Sequence, residues 1–367
     1  MSYRRDTIIC EYMEWAKTRS HARFNLATSG LLHYPARDLG IRIEDVELSG
    51  PSSYGFEPLQ VALAGKCAVP QDCVVAAIGT SMANHLAMAA LLEPGDEVLV
   101  EHPAYEPLLS VARYLGADVR RFSRHFEAGF AIDPAEVERS VTLRTRLIVI
   151  TNLHNPSSAL TDDDTLKSLA EIARSVNARI LVDEVYLEAV AVQSPQRSPR
   201  SAFHLGPEFI ITASLTKAYG LSGLRCGWIL AQPDLARRIW RLNDLFGVIP
   251  PHPAERLSVV ALERLGPIAD RARTVLETNR LLLYRFLDTR ADLECTRPEF
   301  GTVVFPRCKN GRTEELCSLL RDQYETSVVP GRFFEMPDHF RLGIGCATAT
   351  LEAGLDRLSS ALDATMS

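Results

Sequence analysis

The segment Thr212–Trp228, TASLTKAYGLSGLRCGW, holds a single lysine, Lys217, among mostly apolar and small residues. Ser214 lies three residues before this lysine, and Arg225 lies eight residues after it. Burial lowers the pKa of an ammonium group, and a neutral amine can form an imine with an aldehyde. A serine hydroxyl and an arginine fork are suited to bind phosphate. A lysine that can hold an aldehyde, with a phosphate clamp beside it, indicates a site for pyridoxal phosphate (PLP).

Two other interpretations of this segment have to be weighed. Lys217 could be a surface lysine on a turn, with Arg225 paired to a structural carboxylate. Ser214 and Lys217 also fit the S-x-x-K motif of penicillin-binding enzymes, which carry S-D-N and K-T-G further along the chain. Neither tripeptide occurs in this sequence. The residues outside the segment therefore decide between the interpretations.

Composition excludes several classes of protein. The chain has 367 residues, of which 46% are hydrophobic and 23% charged, with a formal net charge of −6. These values are typical of a globular protein with one large and one smaller domain. We find no basic patch for nucleic acid, no apolar run long enough for a membrane span and no secretory signal pattern. The eight cysteines are scattered without a C-x-x-C pair, which predicts reduced thiols in a cytoplasmic protein and no metal site.

Short apolar runs alternate with helical patterns between about residues 70 and 232. Such alternation predicts an α/β domain with a largely parallel sheet between helices. After residue 253 the pattern changes to long helices and a few short strands. We therefore predict an N-terminal arm over 1–46 that joins the small domain, a large PLP-binding domain over 47–253 and a small α+β domain over 254–367. The seven strands predicted for the large domain are 74–78, 98–100, 119–122, 146–151, 178–182, 209–213 and 227–231.

Three local expectations concern segments outside these strands. The apolar stripe of the N-terminal segment predicts a helix over 1–20. A small-residue turn over 79–81 should lead into a helix that starts at Met82, and a helix N-terminus of this kind favours phosphate. The polar, proline-rich segment 191–202 should be an exposed loop.

Residues whose side chains could contact a ligand follow several of the predicted strands. Ligands bind at the carboxyl ends of the strands in open α/β sheets, so a cluster there points to one site. Each residue taken singly has a structural alternative: a helix cap for Asp183, a core position for Tyr105. Their common position is harder to explain without a ligand. The residues that follow strands are Thr80, Ser81, Tyr105, Asn155, Asp183, Tyr186 and Lys217.

Each of these groups has a possible role towards PLP. The Asp183 carboxylate can keep the pyridine nitrogen protonated, which makes the ring an electron sink. Tyr186 and Asn155 can donate to the phenolic oxygen, and Tyr105 can stack on the ring. Helix and side-chain donors can hold the phosphate, namely Thr80, Ser81, Ser214 and Arg225.

The substrate has fewer candidate residues than the cofactor. Arg341, in the apolar run FRLGIG, can bind an α-carboxylate with two parallel hydrogen bonds or can form a structural ion pair. We can assign no second arginine to a side-chain carboxylate. Leu31, Leu32 and Phe305 indicate either an apolar pocket or core, so the amino acid used is left open.

With these residues in place, the sequence resembles the class I/II aminotransferases of PLP fold type I, the aspartate aminotransferase superfamily, over nearly the whole chain. SLTKAYGLSGLRCGW and DEVY at 183–186 carry most of the resemblance. HNP at 154–156, GTSMA at 79–83, LEPGDEVLVEHPAY at 92–105 and PGRFFEMPDHFRLGIG at 330–345 support it. The resemblance implies PLP as cofactor and an amino acid and a 2-oxo acid as substrates.

The resemblance also implies roles for individual residues. Lys217 would be the Schiff-base lysine and the proton shuttle, with Asp183 and Tyr186 as its catalytic partners. Tyr54 would reach the PLP phosphate of a neighbouring subunit, which implies a homodimer. The cofactor residues would be Thr80, Ser81, Tyr105, Asn155, Ser214 and Arg225, and the substrate would meet Gly30, Asn155 and Arg341.

Two features near Asn155 are specific expectations. The Asn155–Pro156 bond is often cis in this family. The family usually has Thr-Gly after Asn-Pro, whereas this chain has Ser157-Ser158, so a glycine that would permit positive φ is missing. We therefore expect this turn to be built differently.

Two alternatives to transamination stay open. PLP-dependent lyases and cyclases share every cofactor residue named above, and the fate of the β-carbon is not written in the sequence. A non-catalytic PLP-binding regulator would usually carry an N-terminal DNA-binding domain, but only about 45 residues precede the large domain and they contain no helix-turn-helix pattern.

Overall fold

The computed structural model describes residues 8–51, 53–197 and 199–366. Its helices and strands alternate through the first two thirds of the chain. The helices are α1 Glu11–Thr18, α2 Glu57–Cys67, α3 Gly79–Leu91, α4 Glu106–Tyr114, α5 Pro134–Ser140, α6 Asp163–Ser175, α7 Glu188–Gln193, α8 Pro233–Asn243, α9 His252–Leu262, α10 Leu265–Asp288, α11 Thr313–Gln323 and α12 Thr348–Met366.

The strands fall into one large sheet and several small ones. The large sheet contains seven strands, and they correspond to the seven strands predicted for the large domain. The strands are β1 Phe24–Asn25, β2 Val74–Ile78, β3 Glu97–His102, β4 Asp118–Ser123, β5 Thr145–Thr151, β6 Arg179–Asp183, β7 Phe209–Ser214, β8 Cys226–Leu230, β9 Leu293–Glu294, β10 Val303–Val304, β11 Arg307–Cys308, β12 Thr326–Ser327, β13 Val329–Pro330 and β14 Phe340–Gly343.

The large sheet has the order β2-β8-β7-β6-β5-β3-β4. Strand β8 runs antiparallel to β2 and β7, and the other neighbours are parallel. The central strands are buried on both faces, as β-branched runs such as RLIVIT in β5 require. The predicted fold class, an α/β protein with a large and mostly parallel sheet, is confirmed.

Helix α6 illustrates how the local sequence forms an element of this fold. The Asp162 carboxylate accepts from the backbone N–H of Thr165 and caps the helix. Two further acidic residues in the first turn complement the helix dipole. The buried face carries Leu166, Leu169, Ala170 and Ala173 at helical spacing.

Small sheets connect the two ends of the chain. Strand β1 pairs in parallel with β12, so the segment after α1 lies against the C-terminal part. Strand β14 lies between β10 and β13 in an antiparallel sheet, and it carries Arg341 opposite Val329. The division into an arm over 1–46 and domains over 47–253 and 254–367 stays a prediction.

Several local expectations need correction. Within the described residues the N-terminal helix covers only Glu11–Thr18, and residues 1–7 of the predicted helix lie outside the described part. Helix α3 begins at Gly79, so 79–81 is its first turn rather than a separate turn before Met82. The segment 191–202 is not all loop, because α7 continues to Gln193 and a 3₁₀ helix starts at Ala202; Ser198 lies outside the described residues.

The turn after Asn155 also differs from expectation. Among the described residues the cis peptide bonds are His102–Pro103 and Asn152–Leu153, so Asn155–Pro156 does not have the cis form that the family resemblance suggested for it. Ser158 adopts the positive φ, +62°, that we expected to need a glycine. Its hydroxyl donates to the Val303 carbonyl at 2.8 Å, and its N–H donates to the His154 carbonyl at 2.6 Å. These bonds hold the serine in a backbone conformation that side chains rarely adopt.

Two further findings bear on function. Among the described residues, no helix combines the length and apolar character needed to cross a membrane. Within the same residues, no group of three or more His, Cys, Asp or Glu side chains is placed to hold a metal ion.

Candidate active site

The strand ends of the large sheet surround a cavity of about 200 Å³. Asp183 is the last residue of β6, and its neighbour in the sheet is Thr212 of β7. Lys217 follows the end of β7 by three residues, so both charged groups reach one cavity from adjacent strands. The predicted residues that line this cavity are Thr80, Ser81, Tyr105, Asn155, Asp183, Tyr186, Ser214, Lys217 and Arg225.

Three predicted residues do not line the cavity. Gly30 packs on Lys217, since an added Cβ would lie 3.4 Å from the lysine Cα and Cδ. Arg341 is buried behind the cavity, where its Nη1 donates to Asn155 Oδ1 at 2.9 Å. Tyr54 is 54% exposed and donates to Asp244 Oδ2 at 3.0 Å, and it is not among the residues that line the cavity.

Burial governs the ionisation of the two charged groups. Burial raises the pKa of Asp183 to about 6, although hydrogen bonds from Asn84 and the Val185 N–H favour the carboxylate. Burial also lowers the pKa of Lys217, and the positive charges of Arg341 and Arg225 act in the same direction. The Lys217 Nζ donates to Ser29 Oγ at 2.9 Å. An acceptor carboxylate and an amine biased towards its neutral form therefore face the same space.

A hydrogen-bond chain orients the Asp183 carboxylate. Asn84 Nδ2 donates to Asp183 Oδ2 at 2.8 Å, and the Thr212 hydroxyl donates to Asn84 Oδ1 at 2.6 Å. The Val185 N–H donates to Asp183 Oδ1 at 3.1 Å. All three side chains are buried, so the chain fixes the carboxylate in one position.

A second hydrogen-bond network holds the backbone of Asn155. Its backbone N–H donates to Thr151 Oγ1 at 2.9 Å, and that hydroxyl donates to Glu101 Oε1 at 2.6 Å. Arg124 donates to the other Glu101 oxygen at 2.7 Å in a fully buried ion pair. Asn155 thus links the cavity on one side with Arg341 on the other.

The start of α3 has the features of a phosphate cradle. The Thr80 hydroxyl is buried and has no hydrogen-bond partner among the described residues. An added Cβ at Gly79, whose φ is +72°, would lie 2.2 Å from Arg225 Nη2. An added Cβ at Gly227 would lie 2.5 Å from the Gly79 carbonyl carbon. Helix N–H groups, a hydroxyl without a partner and an arginine meet at a place with room only for glycine, and this donor set fits the PLP phosphate.

Replacing Gly227 with alanine should disturb this cradle. The new Cβ would press on the Gly79 backbone, which cannot move without shifting the start of α3. We expect the free energy of unfolding to fall by about 1–3 kcal/mol, as overpacking of a tight site usually costs, and the dissociation constant of PLP to rise. Urea unfolding and fluorescence titration with PLP measure the two effects.

Gly223 in the same segment provides the control. An added Cβ at Gly223 meets nothing within 4 Å, so Gly223→Ala should leave both quantities close to wild type. If the two substitutions changed the free energy of unfolding and the dissociation constant of PLP equally, the assignment of the phosphate cradle would be contradicted.

Several residues of this site were not predicted from the sequence. Asn84 and His85 are the polar residues in the apolar helix run MANHLAMAAL, and Asn84 lies four residues after Thr80 on the same helix face, a signal that could have identified it. Ser29 precedes Gly30, but nothing local distinguishes it. No local sequence pattern identifies Tyr12 as a site residue either, because its contact with Arg341 joins residues that are 329 positions apart.

Comparisons with known proteins agree with this geometry. The family model for aminotransferase class I and II matches residues 54–358. The chain is 31% identical to a capreomycidine synthase of Streptomyces vinaceus over 362 residues, which covers 95% of this chain and 92% of the relative. It is 28% identical to an arginine–pyruvate transaminase of Pseudomonas aeruginosa over 296 residues, or 80% of this chain and 75% of the relative.

A solved structure has the same fold over its full length. The PLP-dependent aminotransferase of Streptococcus suis superposes with a TM-score of 0.90 at 26% identity, covering 99% of both chains. The cavity residues of this chain fit PLP, the cofactor of that enzyme. The match to the family model covers most of the chain. The chain therefore belongs to the class I and II aminotransferases, and it is a PLP-dependent transferase of amino groups.

Proposed function

We propose that the chain moves an amino group between an L-amino acid and a 2-oxo acid. Lys217 would be the residue that binds PLP covalently and transfers the α-proton of the substrate. The observation that carries this proposal is the shared cavity of Lys217 and Asp183. Strands β6 and β7 are neighbours, and they deliver a carboxylate and an amine to one space of about 200 Å³.

The cavity residues would orient the cofactor from its ends. PLP, when bound, supplies an aldehyde for amines and a ring that spreads the charge left by removal of a proton. Asp183 would bind the ring nitrogen, and Asn155 and Tyr186 would donate to the phenolic oxygen. Tyr105 would pack on the ring face, while the phosphate would lie against Thr80, Ser81, Ser214 and Arg225.

Lys217 has the properties of a general base. Its lowered pKa leaves more of the Nζ neutral near pH 7 than in an exposed lysine. The neutral Nζ would take the substrate's α-proton and later return it. Ser29 Oγ, 2.9 Å away, can hold the amine in place between these steps.

Arg341 would bind the substrate's α-carboxylate, next to the segment of Gly30 and beside Asn155. The cavity lining offers no cation for a second carboxylate among the described residues once Arg225 is assigned to phosphate and Lys217 to the chemistry. Specificity for an acidic side chain would therefore need a residue from outside this lining.

An absorption experiment tests the proposed reaction. Purified protein loaded with PLP is mixed with amino acids one at a time, arginine included because one relative is an arginine transaminase. The near-visible absorbance should fall as one equivalent of 2-oxo acid forms, and pyruvate should restore it. No reaction with any amino acid would overturn the proposal.

A second candidate is a lyase or cyclase that uses the same cofactor site. The similarity to capreomycidine synthase, a relative named as a synthase rather than a transaminase, favours this candidate. The same experiment separates the two reactions. Many turnovers of amino acid without added 2-oxo acid, with release of ammonia or of a cyclised amino acid, would establish the second candidate and exclude the first.

We also propose a homodimer in which Tyr54 reaches the phosphate of the neighbouring subunit. The tyrosine is half-exposed, and the exposed apolar side chains of Leu245, Phe246 and Val248 follow its partner Asp244. An exposed apolar group of this kind fits a protein interface. The unpaired state of all eight cysteines supports a cytoplasmic location, and the charge of −6 speaks against nucleic acid as a partner.

Replacing Tyr54 with phenylalanine should weaken PLP binding by roughly tenfold, because a hydrogen bond to a charged group is lost. The protein should still sediment as a dimer, since the ring remains. Titration with PLP and analytical ultracentrifugation measure these outcomes. A monomer with wild-type PLP affinity would contradict the shared site.

A further inference from the structure

Arg341 is buried, and among the described residues it has no anionic partner. Its Nη1 donates to Asn155 Oδ1, and its Nη2 donates to the Tyr12 hydroxyl at 2.8 Å and to the Ala27 carbonyl at 3.3 Å. Its Nε has no partner, and no carboxylate of the described residues forms an ion pair with it. Burying a cation that has only neutral partners costs free energy. The positive charge of Arg341 is therefore compensated only when an anion binds beside it.

Tyr12 lies directly on this guanidinium. Tyr12 is buried, with 8% of the residue exposed, and its ring packs edge-on against Tyr105 at 5.6 Å and Phe333 at 5.8 Å between ring centres. Its hydroxyl accepts from Arg341, and among the described residues no group accepts the hydroxyl's own proton. A phenol can accept and donate at the same time. Tyr12 therefore has one donor left for a ligand at Arg341.

The helix that carries Tyr12 is fixed to the cavity wall. The Glu106 carboxylate accepts from the Glu11 N–H at 2.9 Å and from the Tyr12 N–H at 2.6 Å. These are N–H groups at the start of α1, which have no partner within the helix. The next residue along, Met13, places its sulfur 3.5 Å from the Tyr105 hydroxyl and lines the cavity. Helix α1 thus covers the space between Tyr105 and Arg341.

We propose that Tyr12 is a second binding residue for the substrate's carboxylate, with its hydroxyl accepting from Arg341 and donating to a carboxylate oxygen. The inference rests on the proposed function, in which Arg341 binds that carboxylate. In the absence of substrate Tyr12 keeps the Arg341 fork aligned, and with substrate it adds a donor on the side of α1. Amino acids and 2-oxo acids gain from this contact, and amines without a carboxylate do not.

The variant Tyr12→Phe tests the proposal because it keeps the aromatic packing and removes only the hydroxyl. Dissociation constants are measured for an amino acid, for a 2-oxo acid and for the amine of the same side chain without the carboxylate. Binding of both carboxylates should weaken roughly 10- to 100-fold, as loss of a hydrogen bond to a charged group predicts. Binding of the amine and the single-turnover rate at saturating amino acid should change less than about twofold.

Two further variants guard against a purely structural effect. Tyr284→Phe removes a phenol that donates to the Pro298 carbonyl at 2.6 Å outside the cavity lining, and it should leave all three constants unchanged. Glu106→Gln weakens the attachment of α1, including the bond from the Tyr12 N–H, but keeps the Tyr12 hydroxyl, and it should weaken carboxylate binding in the same direction by a smaller factor.

The outcomes separate this inference from the proposed function. Equal weakening of amine and carboxylate binding in Tyr12→Phe, or no weakening of either, overturns the role of Tyr12. If wild-type protein reacts with no amino acid, the proposed function fails. Calorimetry with the 2-oxo acid then still decides whether Tyr12 and Arg341 bind a carboxylate.

Discussion

Replacing Lys217 with alanine should lower the transamination rate by at least roughly 10³-fold, because a positioned general base contributes about 10²–10⁴ and covalent attachment is lost as well. PLP should still bind through the phosphate cradle and Asp183. Borohydride reduction followed by mass spectrometry should find PLP attached to wild-type protein and none attached to the variant. Rapid mixing with the best amino acid measures the rate.

Small amines provide a sharper test of the role as a base. The variant leaves space where the side chain approached Ser29, and a primary amine added to the solution can occupy it. We expect methylamine to restore part of the rate, with a dependence on amine basicity. Lys167, an exposed lysine on α6 paired with Asp164, is the control, and Lys167→Ala should keep wild-type activity. A Lys217→Ala protein that turns over at the wild-type rate would contradict the mechanism.

The large sheet and the cavity at its edge could be predicted because both depend on local patterns. Runs such as LIVI in β5 are buried on both faces. Asp183 ends such a run in β6, and Lys217 follows the end of the β7 run by three residues. Strand order then brings them together without further information, since strand ends share one edge of a parallel sheet. The cavity lining contains nine of the residues predicted for it.

The parts that could not be predicted depend on contacts between distant segments. The positive φ of Ser158 requires the Val303 carbonyl, 145 positions away, and the added Cβ at Gly301 would lie 2.3 Å from the serine hydroxyl. Local sequence favours glycine at such a position, so the prediction failed for a physical reason. Tyr12 is similar, because only the folded chain brings α1 onto Arg341.

Replacing Asp183 with asparagine should separate stability from function. Without PLP, the folded protein raises the pKa of this carboxyl from 3.8 to about 6, so the ionised form is disfavoured in the folded state. Stability from the protonated carboxyl is present below about pH 4 and is lost as the pH rises through about 6. At pH 7.5 the asparagine variant should therefore be more stable than wild type by up to about 3 kcal/mol in the absence of cofactor.

The activity should change in the opposite direction. An amide cannot hold a proton on the ring nitrogen of PLP by charge, and loss of such an electrostatic contact costs about 10²–10³ in rate. Urea unfolding of cofactor-free protein at pH 4.5 and 7.5, together with kcat/KM, measures both effects. Thr212→Val is the control for the hydrogen-bond chain, because it removes the donor to Asn84 without altering any charge. Its effect on stability should be the same at the two pH values. If Asp183→Asn also changed stability equally at both, the carboxylate's charge would not be the cause, and its burial would have to be explained by the hydrogen bonds alone.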